Sequence, residues 1–145
     1  MQTFLPYSDF RKTAKCLDYR RLGKQRIEAK QIYFALTKDN YGWKNHPVVK
    51  MWKGYELALL EYGIEICKDW ISRGYNDSQL DFFIGEYYKY LLPTNSNKYY
   101  PKWLGNKKFH KSHCSNLIRK FPEHYKKYFK NVPDNLPYIW PINER

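Results

Sequence analysis

Leu17-Asp18-Tyr19-Arg20-Arg21-Leu22-Gly23-Lys24-Gln25-Arg26-Ile27-Glu28 is the stretch from which the rest of the chain can be read. Taken as a helix, it places Asp18, Arg21, Gln25 and Glu28 on one face, because three- and four-residue steps return to the same side. Lys24 stands one turn before Glu28 on that face. Leu22, Ala29, Ile32, Tyr33 and Leu36 line the other face and can pack on a core. Arg20, Arg21, Lys24 and Arg26 crowd into this short stretch. Two readings are open: a solvated face laced with salt bridges, or an acid-bearing cationic surface turned toward an anion. The second gains weight because the excess of cations recurs along the chain.

Upstream, Met1 to Tyr7 is apolar and contains Pro6, so it reads as an extended lead-in packed on the domain. Ser8 or Asp9 can cap a first helix through Phe10, Ala14 and Leu17. Gly23 costs a helix about 1 kcal/mol against alanine; it marks a kink, or a place where a backbone or ligand comes close. The helix should run to about Leu36.

Downstream, Asn45-His46-Pro47 opens what reads as one long central helix, because proline suits a first helical turn. Val48, Trp52, Tyr55, Leu59, Tyr62, Ile66 and Trp70 repeat at helical steps, and Gly74 caps the C-terminal end. Asn76-Asp77-Ser78 caps a further helix through Leu80 and Leu91, stopped by Pro93. A polar loop over 94–109, a short helix at Ser112–Lys120 and another from Pro122 follow. Asn131–Arg145 has three prolines and reads as an extended arm whose Tyr138, Ile139 and Trp140 cover a hydrophobic face. No strand-like alternation appears. The expected class is all-α: one compact helical domain over residues 1–145 with an extended C-terminal arm.

Composition narrows the function. The chain has 26 Lys+Arg against 14 Asp+Glu, a net charge of +12. A domain this basic repels itself, so a polyanion is the simplest partner. Between Lys98 and Lys130, ten cations face the single acid Glu123, a second candidate phosphate-binding surface. The 15 Tyr and 5 Trp add stacking platforms of the kind that unpaired or flipped-out bases require, although core filling claims many of them. No apolar run is long enough to span a bilayer and no secretory pattern opens the chain, so a cytoplasmic, monomeric protein is expected. Cys16, Cys67 and Cys114 are odd in number and widely spaced, and read as free thiols.

His110-Lys111-Ser112-His113-Cys114 could suggest a metal site, but the remaining Cys and His lack the paired spacing that zinc needs. No metal and no cofactor is expected. His110, Ser112, His113, Asn116, Arg119 and Lys120 instead read as phosphate or base contacts, together with Arg20 and Arg26. His46, ahead of a helix, either caps it or helps its dipole hold an anion. Asp18 and Glu28 are the carboxylates embedded among cations, which would keep them ionised. A carboxylate beside a sugar can stabilise an oxocarbenium-like transition state, the chemistry of glycosidic cleavage.

The segments 17–26, 45–47, 73–75 and 110–120 resemble the pyrimidine-dimer DNA glycosylase/endonuclease V superfamily, in a small branch with an RLGKQR helix and an HxSHxSNL segment. The resemblance implies an all-α fold and a DNA-base glycosylase, with or without strand-nicking lyase activity, acting on duplex DNA with a flipped-out base. In phage-type members an N-terminal amine attacks the sugar, assisted by a Glu of an Arg-Glu pair. Here that Glu aligns with Arg21 or Gln25, leaving Asp18 or Glu28 as the available acid. Gln2 is too bulky for normal removal of Met1. The nucleophile is then the Met1 amine, Lys24 or water. The catalytic set implied is Met1, Asp18, Arg21, Lys24, Gln25 and Glu28. The alternative is a non-enzymatic DNA- or RNA-binding module.

Overall fold

The computed structural model describes residues 1–91 and 99–142. Among them are seven helices and no strand: α1 (Phe10–Cys16), α2 (Tyr19–Thr37), α3 (Pro47–Trp52), α4 (Glu56–Ser72), α5 (Leu80–Leu91), α6 (Lys107–Lys120) and α7 (Pro122–Tyr125). The all-α expectation holds.

Each start has a local cause. Asp9 caps α1 by accepting from Lys12 N, Asp18 caps α2 by accepting from Arg21 N, and Asp77 Oδ2 accepts from Leu80 N at 2.8 Å at the head of α5. The stripe from Val48 to Trp70 does not form one helix. It breaks at Lys53-Gly54-Tyr55, where Gly54 takes φ +90° and its N–H donates to Glu56 Oε2 at 3.2 Å. Trp52, Tyr55 and Leu59 are buried on both sides of the break, so the apolar face continues while the helix does not. The helix expected from Ser112 begins five residues earlier, because the Asn106 side chain caps it by accepting from Phe109 N at 3.0 Å. Pro93 and Lys98 lie outside the described residues.

The core centres on α4, which packs against α1, α2 and α5. Trp52, Trp103, Tyr62, Phe83 and Leu5 are fully buried there. Gly23 is where α4 comes close: a Cβ at that position would stand 2.9 Å from the Trp70 ring. Its helix-propensity cost thus admits an aromatic side chain rather than a ligand. All three cysteines are free and buried. No helix among the described residues is long and apolar enough to cross a membrane.

The first residues and residues 131–142 both pack on this frame. The segment Gln2 to Pro6 is buried rather than lying on the surface. Trp52 Nε1 donates to Thr3 Oγ1 at 3.0 Å, and Tyr62 Oη sits 2.8 Å from Phe4 O. Residues 131–142 form neither helix nor strand and run along α6.

Candidate functional site at the joined chain ends

A cavity of about 410 Å³ opens where the first residues meet α2 and the C-terminal segment. Met1, Gln2 and Phe4 line one side. Arg20, Arg21, Lys24, Gln25 and Glu28 of α2 line another, and Lys120, Tyr138 and Trp140 complete it. Its size falls within the usual range of small-ligand pockets. Helical spacing explains the α2 contribution, since Arg21, Lys24, Gln25 and Glu28 face the same way.

Glu28 is the one carboxylate in that lining. It is 9% exposed. Gln25 Nε2 donates to its Oε2 at 2.9 Å, Gln2 N approaches the same oxygen at 3.4 Å, and Lys24 Nζ lies 3.9 Å from Oε1. These contacts hold the carboxyl group in place beside the start of the chain. Gln25 is a positioning residue. Its Oε1 accepts from Phe4 N at 2.9 Å and lies 2.7 Å from Tyr62 Oη, and its Nε2 also donates to Gln2 O at 2.9 Å. It pins the backbone that carries Met1.

Asp18 does not line the cavity. It is buried at the head of α2, where the Tyr125 hydroxyl donates to Oδ1 and Arg21 Nη1 donates at 3.2 Å. Burial by itself would raise its pKa; Tyr125 and Arg21 outweigh that and hold the carboxyl below its usual range. Its role is capping and anchoring, so of the two acids expected at the site only Glu28 is there. Arg21 reaches the cavity while its guanidinium braces Asp18. The Lys24 side chain is 75% exposed at the cavity's rim.

The α6 motif also departs from expectation. His110, Ser112, His113 and Asn116 are buried, and all their side-chain polar atoms except His113 Nε2 bond to the chain itself. His110 Nδ1 donates to Leu5 O at 2.7 Å, while Gly105 N donates to its Nε2 at 2.8 Å. Leu5 N donates to His113 Nδ1 at 2.9 Å. The two imidazoles therefore clip both backbone groups of Leu5. Burial, with His110 close by, pushes His113 down to about 3, and burial also lowers His110, so both are neutral near pH 7. The rest of the motif clips the other end of the chain. Ser112 Oγ accepts from Ile139 N at 3.2 Å and Ser115 Oγ from Leu136 N at 3.0 Å. Asn116 Nδ2 and Arg119 Nη2 donate to Leu136 O at 3.1 and 2.8 Å. This scaffold places Tyr138 and Trp140 in the cavity wall. Of the α6 residues expected to bind nucleic acid, only Lys120 reaches the cavity.

Arg26 lies elsewhere. Its guanidinium stacks 4.5 Å over Trp70 and pairs with Asp77 at 2.6 Å, leaving the side chain 15% exposed. Arg20 lines the cavity. His46 caps α3, its Nδ1 accepting from Val48 N at 3.0 Å, and its ring meets Trp140 edge-on at 5.8 Å. Burial lowers its pKa and the nearby N-terminal amine lowers it further; His46 does not line the cavity but touches Trp140, which does. Among the described residues no group of His, Cys, Asp and Glu could hold a metal.

Sequence reasoning left Gln2, Phe4, Tyr138 and Trp140 out of the site. The aromatic tail is the available signal, although its Tyr138, Ile139 and Trp140 read equally as cover for a hydrophobic face. Tyr138 is pushed up to about 12 by burial, so it remains a neutral phenol in the wall.

No curated protein and no solved structure matches the chain. A family model described as pyrimidine dimer DNA glycosylase matches residues 1–82, which hold Met1, all of α2 and His46. That is more than half of the 145 residues, and the chain belongs to the pyrimidine dimer DNA glycosylase family of DNA repair enzymes.

Proposed function

We propose that the protein excises a damaged or modified base from duplex DNA, acting as a monomer, with the nucleotide drawn into the Met1–Glu28 cavity. The observation that carries this reading is one cavity lined by Met1, a buried carboxylate and the four cations Arg20, Arg21, Lys24 and Lys120. The cations hold phosphates at the rim, while Tyr138 and Trp140 offer π-faces to an extruded base.

The Met1 α-amine is the nucleophile. Glu28 takes a proton from the ammonium, which frees the nitrogen lone pair. That lone pair bonds to C1′ as the glycosidic bond breaks, and the base leaves with the bonding electrons and takes up a proton. Glu28, ionised again after passing its proton on, stabilises the positive charge that builds on the sugar. Ring opening then gives an iminium. Loss of a C2′ proton from it expels the 3′ phosphate and nicks the strand.

A non-enzymatic binder is the poorer reading. A buried carboxylate in a phosphate-binding cavity weakens binding, and Glu28 would then serve only to hold Gln25 and Gln2.

Duplexes carrying single lesions or modified bases, including a thymine dimer, are incubated with the protein and then heated in alkali. Strand cleavage at one class of modified base is expected. Intact strands across the whole panel would overturn the reading.

A further inference from the structure

Trp43 is the most exposed tryptophan among the described residues, at 59%. It also adopts φ +69°, in the left-handed region that disfavours a bulky side chain. A large apolar ring is thus held in water on a strained backbone. The core gains nothing from this, because the ring's aromatic neighbour is His46, edge-on at 6.1 Å. From His46 the aromatic contacts continue to Trp140 at 5.8 Å and Tyr138 at 5.5 Å, both in the wall of the candidate site.

The same loop borders a second cavity, of about 440 Å³, lined by Lys44, Asn45, Lys50, Lys53 and Ile142 among others. Lys50 and Lys53 are exposed and have no carboxylate partner among the described residues. Trp43 lines neither cavity but adjoins both cation-bearing surfaces: its ring meets His46, which meets Trp140 of the first, and its chain neighbour Lys44 lines the second. A polyanion spanning both surfaces would meet cations on each and the indole beside them.

We propose that Trp43 is a wedge that enters the base stack of duplex DNA and fills the space left by the extruded nucleotide, with Lys50 and Lys53 holding phosphates beyond it. This rests on the glycosylase reading above. Apolar side chains inserted between base steps part them and keep the helix bent, and stacking of a base on the indole offsets part of the cost of unstacking. A rigid indole presented on a fixed turn suits that task, and the tolerated backbone strain then has a function.

The probe is a duplex with a central tetrahydrofuran abasic analogue beside a 2-aminopurine, compared with the same duplex intact. The wild-type protein should prefer the abasic duplex and quench the 2-aminopurine by stacking on it. Trp43→Ala should abolish the quench and weaken binding to the abasic duplex by about tenfold or more, as expected for losing one aromatic–base stack. Its affinity for the intact duplex should hardly change. Trp43→Gly should show the same losses together with a higher Tm, because glycine relieves the left-handed strain. A merely structural tryptophan would not move binding and stability in opposite directions. Quenching and binding at wild-type level in both variants would overturn the wedge and leave the glycosylase reading standing. A wild-type protein with no preference for the abasic duplex would overturn both.

Discussion

Helices α2 and α6 are both rich in polar and basic residues, and they use them in opposite ways. The cavity-facing side of α2 turns Arg20, Arg21, Lys24 and the buried Glu28 toward an open cavity. In α6, His110, Ser112, His113 and Asn116 are buried and bonded to Leu5, Leu136 and Ile139. One helix lines the cavity proposed to take the nucleotide; the other joins the two segments that complete its wall. A polar motif of high density can therefore mark a scaffold as readily as a binding surface, and what decides is whether its polar groups line a cavity or bond to the chain itself.

The contrast predicts different kinds of damage. The largest effect should come from Glu28→Gln, which keeps the shape and removes the charge. Excision should fall by about 10²–10⁴-fold, the span of a positioned acid–base group, with DNA affinity unchanged or slightly improved. Single-turnover rates and binding measured on one duplex check this. His113→Ala should instead cost stability, by about 2–4 kcal/mol, through a lost buried side chain and an unpaired Leu5 N–H. Denaturant unfolding measures it. A variant as stable as the wild type would break the account of α6 as scaffold.

Acid should act on the scaffold before the site. His113 is held near 3 when folded and His110 is also lowered, whereas unfolded histidine titrates near 6.5. Below about pH 6.5 the unfolded chain therefore binds protons that the folded chain refuses. Stability falls with decreasing pH, by up to about 1.4 kcal/mol per pH unit for each histidine, until the folded-state pKa is reached. Asp18 works in a lower window: its depressed carboxyl contributes stability above about pH 4, and that is lost only below it. Tm measured between pH 7 and pH 4 should drop, and less so in His113→Gln. The smallest effect belongs to the rim: Lys24→Met should weaken DNA binding modestly and reduce the slope of log K against log salt by about 1.

Much of the fold was legible in the sequence, because caps and apolar spacing are local. Asp9 and Asp77 start their helices as expected, whereas Asp18, read as one of the acids on the helix face, proves to be the cap of α2. The break at Gly54 was hidden, since buried Trp52, Tyr55 and Leu59 keep a helical spacing across it. At the site, α2 was legible and α6 was not. Nothing in His110 or His113 shows that Leu5, more than a hundred residues away in sequence, takes up their hydrogen bonds. Asp18 and Glu28 looked equivalent, and only the distant Tyr125 separates the anchor from the acid in the cavity.

The central claim is that the chain's first residue and Glu28 form one reactive site. Borohydride reduction during incubation with an abasic-site duplex tests it most directly, because reduction traps an amine–sugar imine as a stable adduct. The account predicts an adduct on the tryptic peptide Met1–Arg11, lost when the α-amine is blocked. An adduct mapped to Lys24, or base removal with no trapped adduct at all, would contradict it.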